Sequence, residues 1–178
     1  MLFKFYHADR AGLLKEETEV TLCERQLSPF GRVYWDDIVR KRSDGIQLSP
    51  NAQREFLIEE IRRTEFSYAT SRLQCFFGAN YLDEAVRFAK SIVPVPDKPV
   101  SIYEVYASKF VSLDMNLIDS SLSDPDFSEN IRRYWRRVIS NHGPLSGNRK
   151  EPNIEVLLDL PVRIGKRVVE VNVVGQST

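Results

Sequence analysis

Cysteine and histidine are scarce in this chain of 178 residues: two of each, Cys23, Cys75, His7 and His142. Neither cysteine lies in a CxxC pair, and the histidines are far apart in sequence. A structural zinc site needs about four nitrogen or sulfur ligands, so no metal is expected, and no disulfide framework is indicated. Charge of one sign is also lacking, since Lys plus Arg and Asp plus Glu number 25 each. A net charge of zero argues against broad electrostatic capture by nucleic acid or a membrane, while leaving room for a local basic patch. No stretch approaches the roughly 20 apolar residues of a membrane span. The opening Met1-Leu2-Phe3-Lys4-Phe5-Tyr6-His7 lacks the continuous apolar run of a signal peptide. The expectation is a cytoplasmic protein, or one delivered by a non-classical route, with no membrane partner.

What is present is ordinary globular material. Hydrophobic residues make up 42% of the chain and charged residues 28%, enough apolar content to exclude global disorder. The length fits one domain over residues 1–178. Residues 2–7 are rich in aromatics and read as a strand, left by a turn at 8–12, and residues 19–22 alternate as a short strand. Ser28-Pro29-Phe30-Gly31 breaks the pattern. The clearest helix covers 51–64: Ser49 caps it, Pro50 suits its first turn, and Phe56, Leu57, Glu60 and Ile61 fall at helical spacing. Residues 71–77 read as a strand. An amphipathic helix over 80–89 follows, with Leu82, Ala85, Val86 and Ala89 on one face, stopping before Pro94 and Pro96. Further on come a strand at 100–106 and a helix at 124–139 carrying Ile131, Tyr134, Trp135 and Val138. A loop at 141–153 precedes strands at 154–158 and 162–174, with Asp159-Leu160-Pro161 between them. Strands at both ends with helices between them predict an α+β fold.

Three stretches carry a resemblance. The first is Tyr6-His7-Ala8-Asp9-Arg10 followed by Leu13-Leu14; the second is Phe76-Phe77-Gly78-Ala79-Asn80 leading into the helix. The third is Glu151-Pro152-Asn153-Ile154-Glu155-Val156-Leu157-Leu158 and then Pro161-Val162-Arg163-Ile164. Their order resembles the ADP-ribosyltransferase fold family, in the branch with a leading His, aromatics in the middle and a late Glu. The resemblance implies a split β-sheet core with flanking helices and NAD as substrate. It implies that His7 holds the adenosine ribose and that the backbone at Ala8, where the family usually has Gly, grips the nicotinamide amide. Phe77 and Phe88 would sandwich the nicotinamide ring by stacking and cation–π attraction. Glu155 would be the catalytic carboxylate, stabilising the oxocarbenium-like state as nicotinamide leaves. Glu151 lies four residues before Glu155 rather than the two typical of arginine-modifying members. Ser71 and Arg72 are further candidates for orienting a ribose or holding a diphosphate, because guanidinium forks match phosphate oxygens.

Each residue also has a plainer reading. His7 reads equally as a partly buried strand residue, Phe77 and Phe88 as core, Arg72 as an ordinary surface arginine, and Glu155 as a solvent-facing strand residue. Arg132, Arg133, Arg136 and Arg137 share one side of the expected helix and, with Arg149 and Lys150 downstream, offer a cationic stripe. The stripe suits a diphosphate or a nucleic-acid backbone, or is a solvated face paired with Asp124, Asp126 and Glu129. Three functions follow. The first is an NAD-dependent mono-ADP-ribosyltransferase acting as a bacterial toxin, effector or defence protein on a protein or nucleic-acid acceptor, with an antitoxin or immunity protein as a further partner. The second is a non-catalytic interaction module on the same fold. The third, RNA 2′-phosphate transfer to NAD, ranks last because the motifs of that family are not visible.

Overall fold

A computed structural model describes residues 1–23, 25–92, 95–140 and 152–173. Seven strands and four α-helices are found among them: β1 (Phe3–Asp9), β2 (Glu19–Val20), α1 (Pro29–Ser43), α2 (Pro50–Glu65), β3 (Cys75–Gly78), α3 (Leu82–Ser91), β4 (Val100–Ala107), β5 (Phe110–Asp114), α4 (Phe127–Trp135), β6 (Ile154–Asp159) and β7 (Val162–Val171). The fold is α+β. Its strands form two antiparallel sheets, a four-stranded one in the order β1-β4-β7-β2 and a three-stranded one in the order β3-β6-β5.

The chain crosses between the sheets twice in tight connections. One runs from β4 to β5 through Ser108 and Lys109, the other from β6 to β7 through Leu160 and Pro161, a cis peptide. The sheets also touch directly where β1 meets the end of β3. Tyr6 N–H donates to the Ala79 carbonyl at 3.0 Å, and Ala79 N–H donates back to Tyr6 at 2.8 Å. This seam is a short continuation of pairing between two otherwise separate ladders.

Successive strand residues face opposite ways, so the small sheet feeds two cores. Cys75, Leu113 and Leu157, with Phe77 at the margin, pack under α2 and α4 against Ile58, Ile131, Tyr134 and Trp135. Phe76, Val156 and Leu158 face the large sheet and meet Phe5, Tyr103, Val105 and Ile164. A third cluster lies where α3 covers the large sheet: Ala8, Ala85, Ala89, Ile102 and Val171. Small residues there let α3 approach β1 closely.

Ser28 and Ser49 start α1 and α2 in the same manner. Each is followed by proline, and each side chain accepts a bond from the backbone N–H three residues on, Gly31 at 3.0 Å and Ala52 at 3.3 Å. Thus Ser28-Pro29-Phe30-Gly31 opens a helix rather than breaking the pattern. Gly31 is required there by a close approach: a Cβ would lie 1.9 Å from the Leu73 carbonyl oxygen. Ser28 N–H donates to that same carbonyl at 2.8 Å, clamping α1 to the segment just before β3.

Other boundaries differ from the sequence expectation for local reasons. Residues 71–77 are not one strand. Arg72–Gln74 form a single 3₁₀ turn, with Ser71 Oγ accepting from Leu73 N–H at 3.1 Å, and only then does β3 begin. The helix expected over 124–139 spans Phe127–Trp135, because Arg137 adopts a left-handed conformation with φ of 61° and ends it. The buried residues of α2 are Ala52, Glu55, Ile58 and Glu59, so two carboxylates point inward while Glu60 is exposed. Strand β5 had no counterpart in the sequence reading. Residues 141–151 of the expected loop lie outside the described residues, as do Pro94, His142, Arg149, Lys150, Glu151 and Val174.

Candidate active site

The clamp between α1 and Leu73 fixes the 3₁₀ turn, and the turn delivers Arg72 into the interior, where it is only 5% exposed. All three of its guanidinium nitrogens are engaged. Nε and Nη2 donate to the two oxygens of Glu55 at 3.0 and 3.1 Å, a fork-to-fork pair. Nη1 donates to the Tyr134 hydroxyl at 2.9 Å and to Glu155 Oε1. Tyr134 Oη in turn donates to Glu155 Oε1 at 2.6 Å. One arginine therefore ties α2, α4 and β6 together.

A second layer sits one helical turn away. Glu59 accepts from the Ser71 hydroxyl at 2.8 Å and from Nε and Nη2 of Arg62 at 3.0 and 2.8 Å. Arg62 also donates to the Ala69 carbonyl at 2.9 Å. Ser71 and Arg72 thus turn adjacent side chains onto adjacent carboxylates of α2. This arrangement holds the 3₁₀ turn from both sides.

Electrostatics follow from the burial. Burial alone would lower the Arg72 pKa, but the carboxylates of Glu155 and Glu55 hold it well above its ordinary value. Burial pushes Glu155 above the usual carboxylate range, against the pull of Arg72 and the Tyr134 hydroxyl. Burial likewise drives the Tyr134 phenol well up, so it stays protonated and acts as a donor.

An aromatic wall closes the side toward α1. The Arg72 guanidinium lies 5.0 Å from the Phe77 ring centre, the Phe30 ring meets Phe77 edge-on at 4.8 Å, and Tyr34 packs on Phe30 at 4.6 Å. The pairing register explains the grouping. Phe77 sits opposite Leu157, and Glu155 is two residues before Leu157, so Phe77 and Glu155 share one face of the small sheet. His7 approaches from the seam. Its ring rests on Phe76, on the other face, at 4.4 Å, and Nδ1 lies 2.8 Å from the Phe77 carbonyl oxygen. A carbonyl only accepts, so Nδ1 carries the proton, and the neutral ring leaves Nε2 as an acceptor. Burial pushes the His7 pKa below its ordinary value.

The sequence candidates divide accordingly. Arg72 contacts both Phe77 and Glu155, His7 joins through the Phe77 backbone, and Ser71, though next to Arg72 in the chain, turns to the separate Glu59–Arg62 pair. Ala8 is buried in the cluster under α3. Phe88 lies on α3, 50% exposed, and no ring contact joins it to Phe77 among the described residues. The ring that meets Phe77 is that of Phe30, edge-on at 4.8 Å. Sequence reasoning missed Glu55, Phe30, Tyr34 and the polar end of Tyr134. The one available signal was the pair of acids at Glu55 and Glu59, spaced to share a face with Ala52 and Ile58.

The arginine run behaves differently. Arg132 makes a two-pronged pair with Glu65 and adds Glu129, and Arg136 pairs with Glu129 at 3.0 Å. Arg136 and Arg137 lie beyond the end of α4, so the four residues do not form one helical stripe.

Comparison with known proteins places residues 33–169 in a match to the family model described as "Protein of unknown function (DUF2441)". The matched span contains Glu55, Arg72, Phe77, Tyr134 and Glu155, and leaves His7 outside. No curated protein matches the chain.

Proposed function

The chain belongs to the DUF2441 family, and we propose that it is an NAD-dependent mono-ADP-ribosyltransferase with Glu155 as its catalytic carboxylate. The observation that carries this reading is one unbroken chain of contacts beside the seam. His7 bonds the Phe77 backbone, the Phe77 ring faces Arg72, and Arg72 bonds Glu155. Three segments far apart in sequence meet there, and Phe77 and the Glu155 carboxylate share one face of the small sheet.

In the proposed reaction, the bond between the nicotinamide nitrogen and the ribose C1 breaks, and nicotinamide leaves with the electron pair. An acceptor heteroatom forms the new bond to C1 and loses its proton. Glu155 stabilises the positive charge that develops on the ribose between these events. Arg72 and Tyr134 fix the carboxylate in place; they act on the chemistry through Glu155. The acceptor is a macromolecule. Among the described residues no helix is long and apolar enough to cross a membrane.

The test is incubation with labelled NAD and a cell lysate. Label transfer with nicotinamide release is expected, and release that continues unchanged in Glu155→Ala contradicts the assignment.

A second reading, a module that keeps the fold without the reaction, is favoured by one observation. Glu155 is 7% exposed and its Oε1 is already engaged by Arg72 and Tyr134. Calorimetry separates the two: the enzyme binds NAD, and the module gives no heat.

A further inference from the structure

Beside the end of α4 lies a cleft of about 540 Å³ whose lining contains none of the residues of the Arg72 cluster. We propose that this cleft binds a nucleotide unit, a planar base with its phosphate, whether as a free mononucleotide or as part of a single strand. The inference stands whether or not the chain cleaves NAD.

The cleft is built where three connections converge: the segment after α2, the tight crossing from β4 to β5, and the end of α4. These supply Tyr68 and Phe110 as exposed aromatic surface and Lys109, Arg136 and Arg137 as cations, while Trp135 lies buried behind the wall at 3% exposure. Tyr68 is 79% exposed, and Phe110 is 43% exposed with one side of its ring packed on Phe3 and Phe5 at 5.1 and 4.9 Å. The volume falls in the range of small-ligand sites, about 300–1,000 Å³.

Charge in the cleft is one-sided. Its single acid, Asp159, accepts a 2.7 Å bond from the Thr70 hydroxyl. Arg136 is held by Glu129, whereas Lys109 and Arg137 have no ion-pair partner among the described residues. Two cations with no ion-pair partner among the described residues, beside exposed aromatic faces, suit a ligand that is both flat and anionic, the pairing of stacking with phosphate contact that single-strand binders use.

The backbone fixes where Arg137 sits. Arg137 N–H donates to the Tyr134 carbonyl at 2.9 Å and Val138 N–H to the Arg133 carbonyl at 3.0 Å, the two bonds of a Schellman cap. Arg137 occupies its left-handed position, with φ of 61°, where glycine is the usual and more comfortable residue. A cationic residue therefore lines the cleft at a position where glycine would sit more comfortably.

The test uses the full chain with a fluorescent eight-nucleotide oligouridylate, in competition with UMP and with inorganic phosphate. Binding is expected to weaken about tenfold or more in Tyr68→Ala and in Lys109→Glu, both surface changes. Arg137→Gly is the sharper variant: it relieves the backbone, so its melting temperature should rise while its affinity falls. Displacement by UMP where phosphate fails assigns a free nucleotide, and a probe that UMP does not displace assigns a strand. No binding, equal displacement by phosphate, or undiminished binding in all three variants overturns the proposal.

Discussion

Arg72 and the run from Arg132 to Arg137 are the two arginine-bearing regions of interest, and they are opposites. Arg72 is solitary in sequence and buried, and each of its three guanidinium nitrogens donates to a protein group. The run is dense in sequence and solvated, and Arg132 and Arg136 share acids at the surface. Density of charge along the chain therefore says little about where charge matters. What decides is dielectric: a buried pair broken on one side leaves an uncompensated charge, and a surface pair is replaced by water.

The sharpest way to break the comparison is Arg72→Met, which leaves Glu55 and Glu155 buried without their cation. A loss of about 3–5 kcal/mol of stability is expected at neutral pH, read from urea unfolding. A shift no larger than that of a surface variant would erase the distinction between the two regions.

Gly31→Ala should follow, with a loss of about 3 kcal/mol, because the added methyl meets the Leu73 carbonyl at 1.9 Å and dislodges the turn that carries Arg72. If Gly31→Ala is tolerated, the clamp between α1 and the turn is not what seats Arg72.

His7 gives a smaller effect with a defined sign. Burial depresses its pKa in the folded state, so the unfolded chain takes up the proton first. The stability His7 contributes is present above its ordinary pKa of about 6.5 and is lost as pH falls through the folded-state value. Urea midpoints should decline from pH 7 towards pH 5, and His7→Gln should flatten that decline. An equal decline in both proteins would place the titration elsewhere.

Smallest of all is Arg132→Ala. Its pair with Glu65 is exposed and screened, so the change in the urea midpoint should be slight and should disappear at high salt. A large, salt-independent loss would move the run into the same class as Arg72.

The contrast also explains what was legible in the sequence. Ser49-Pro50 announces α2 because capping is local, and the alternation at 100–106 and 154–158 announces strands because one-residue alternation is local too. Ser28-Pro29 carries the same signal for α1, yet Gly31 two residues on reads as a breaker, since its need arises from Leu73 far along the chain. Glu155 and Phe77 were named through resemblance and Arg72 for the chemistry of its guanidinium, and the three do lie together. Glu55 and Glu59 look like solvent-facing helix acids until Arg72, Ser71 and Arg62 are placed against them. Tyr134 was legible as core, but not its hydroxyl, which needs Glu155 brought across from β6.

The central claim rests on the carboxylate of Glu155, and Glu155→Gln keeps its shape while removing its charge. Nicotinamide release from NAD should be measured for both proteins, corrected to the folded fraction of each. The account predicts release by the parent chain and a drop of about a hundredfold or more in Glu155→Gln, the usual scale for losing one electrostatic stabiliser of a transition state. Equal release by both proteins, or no release by either, would contradict it.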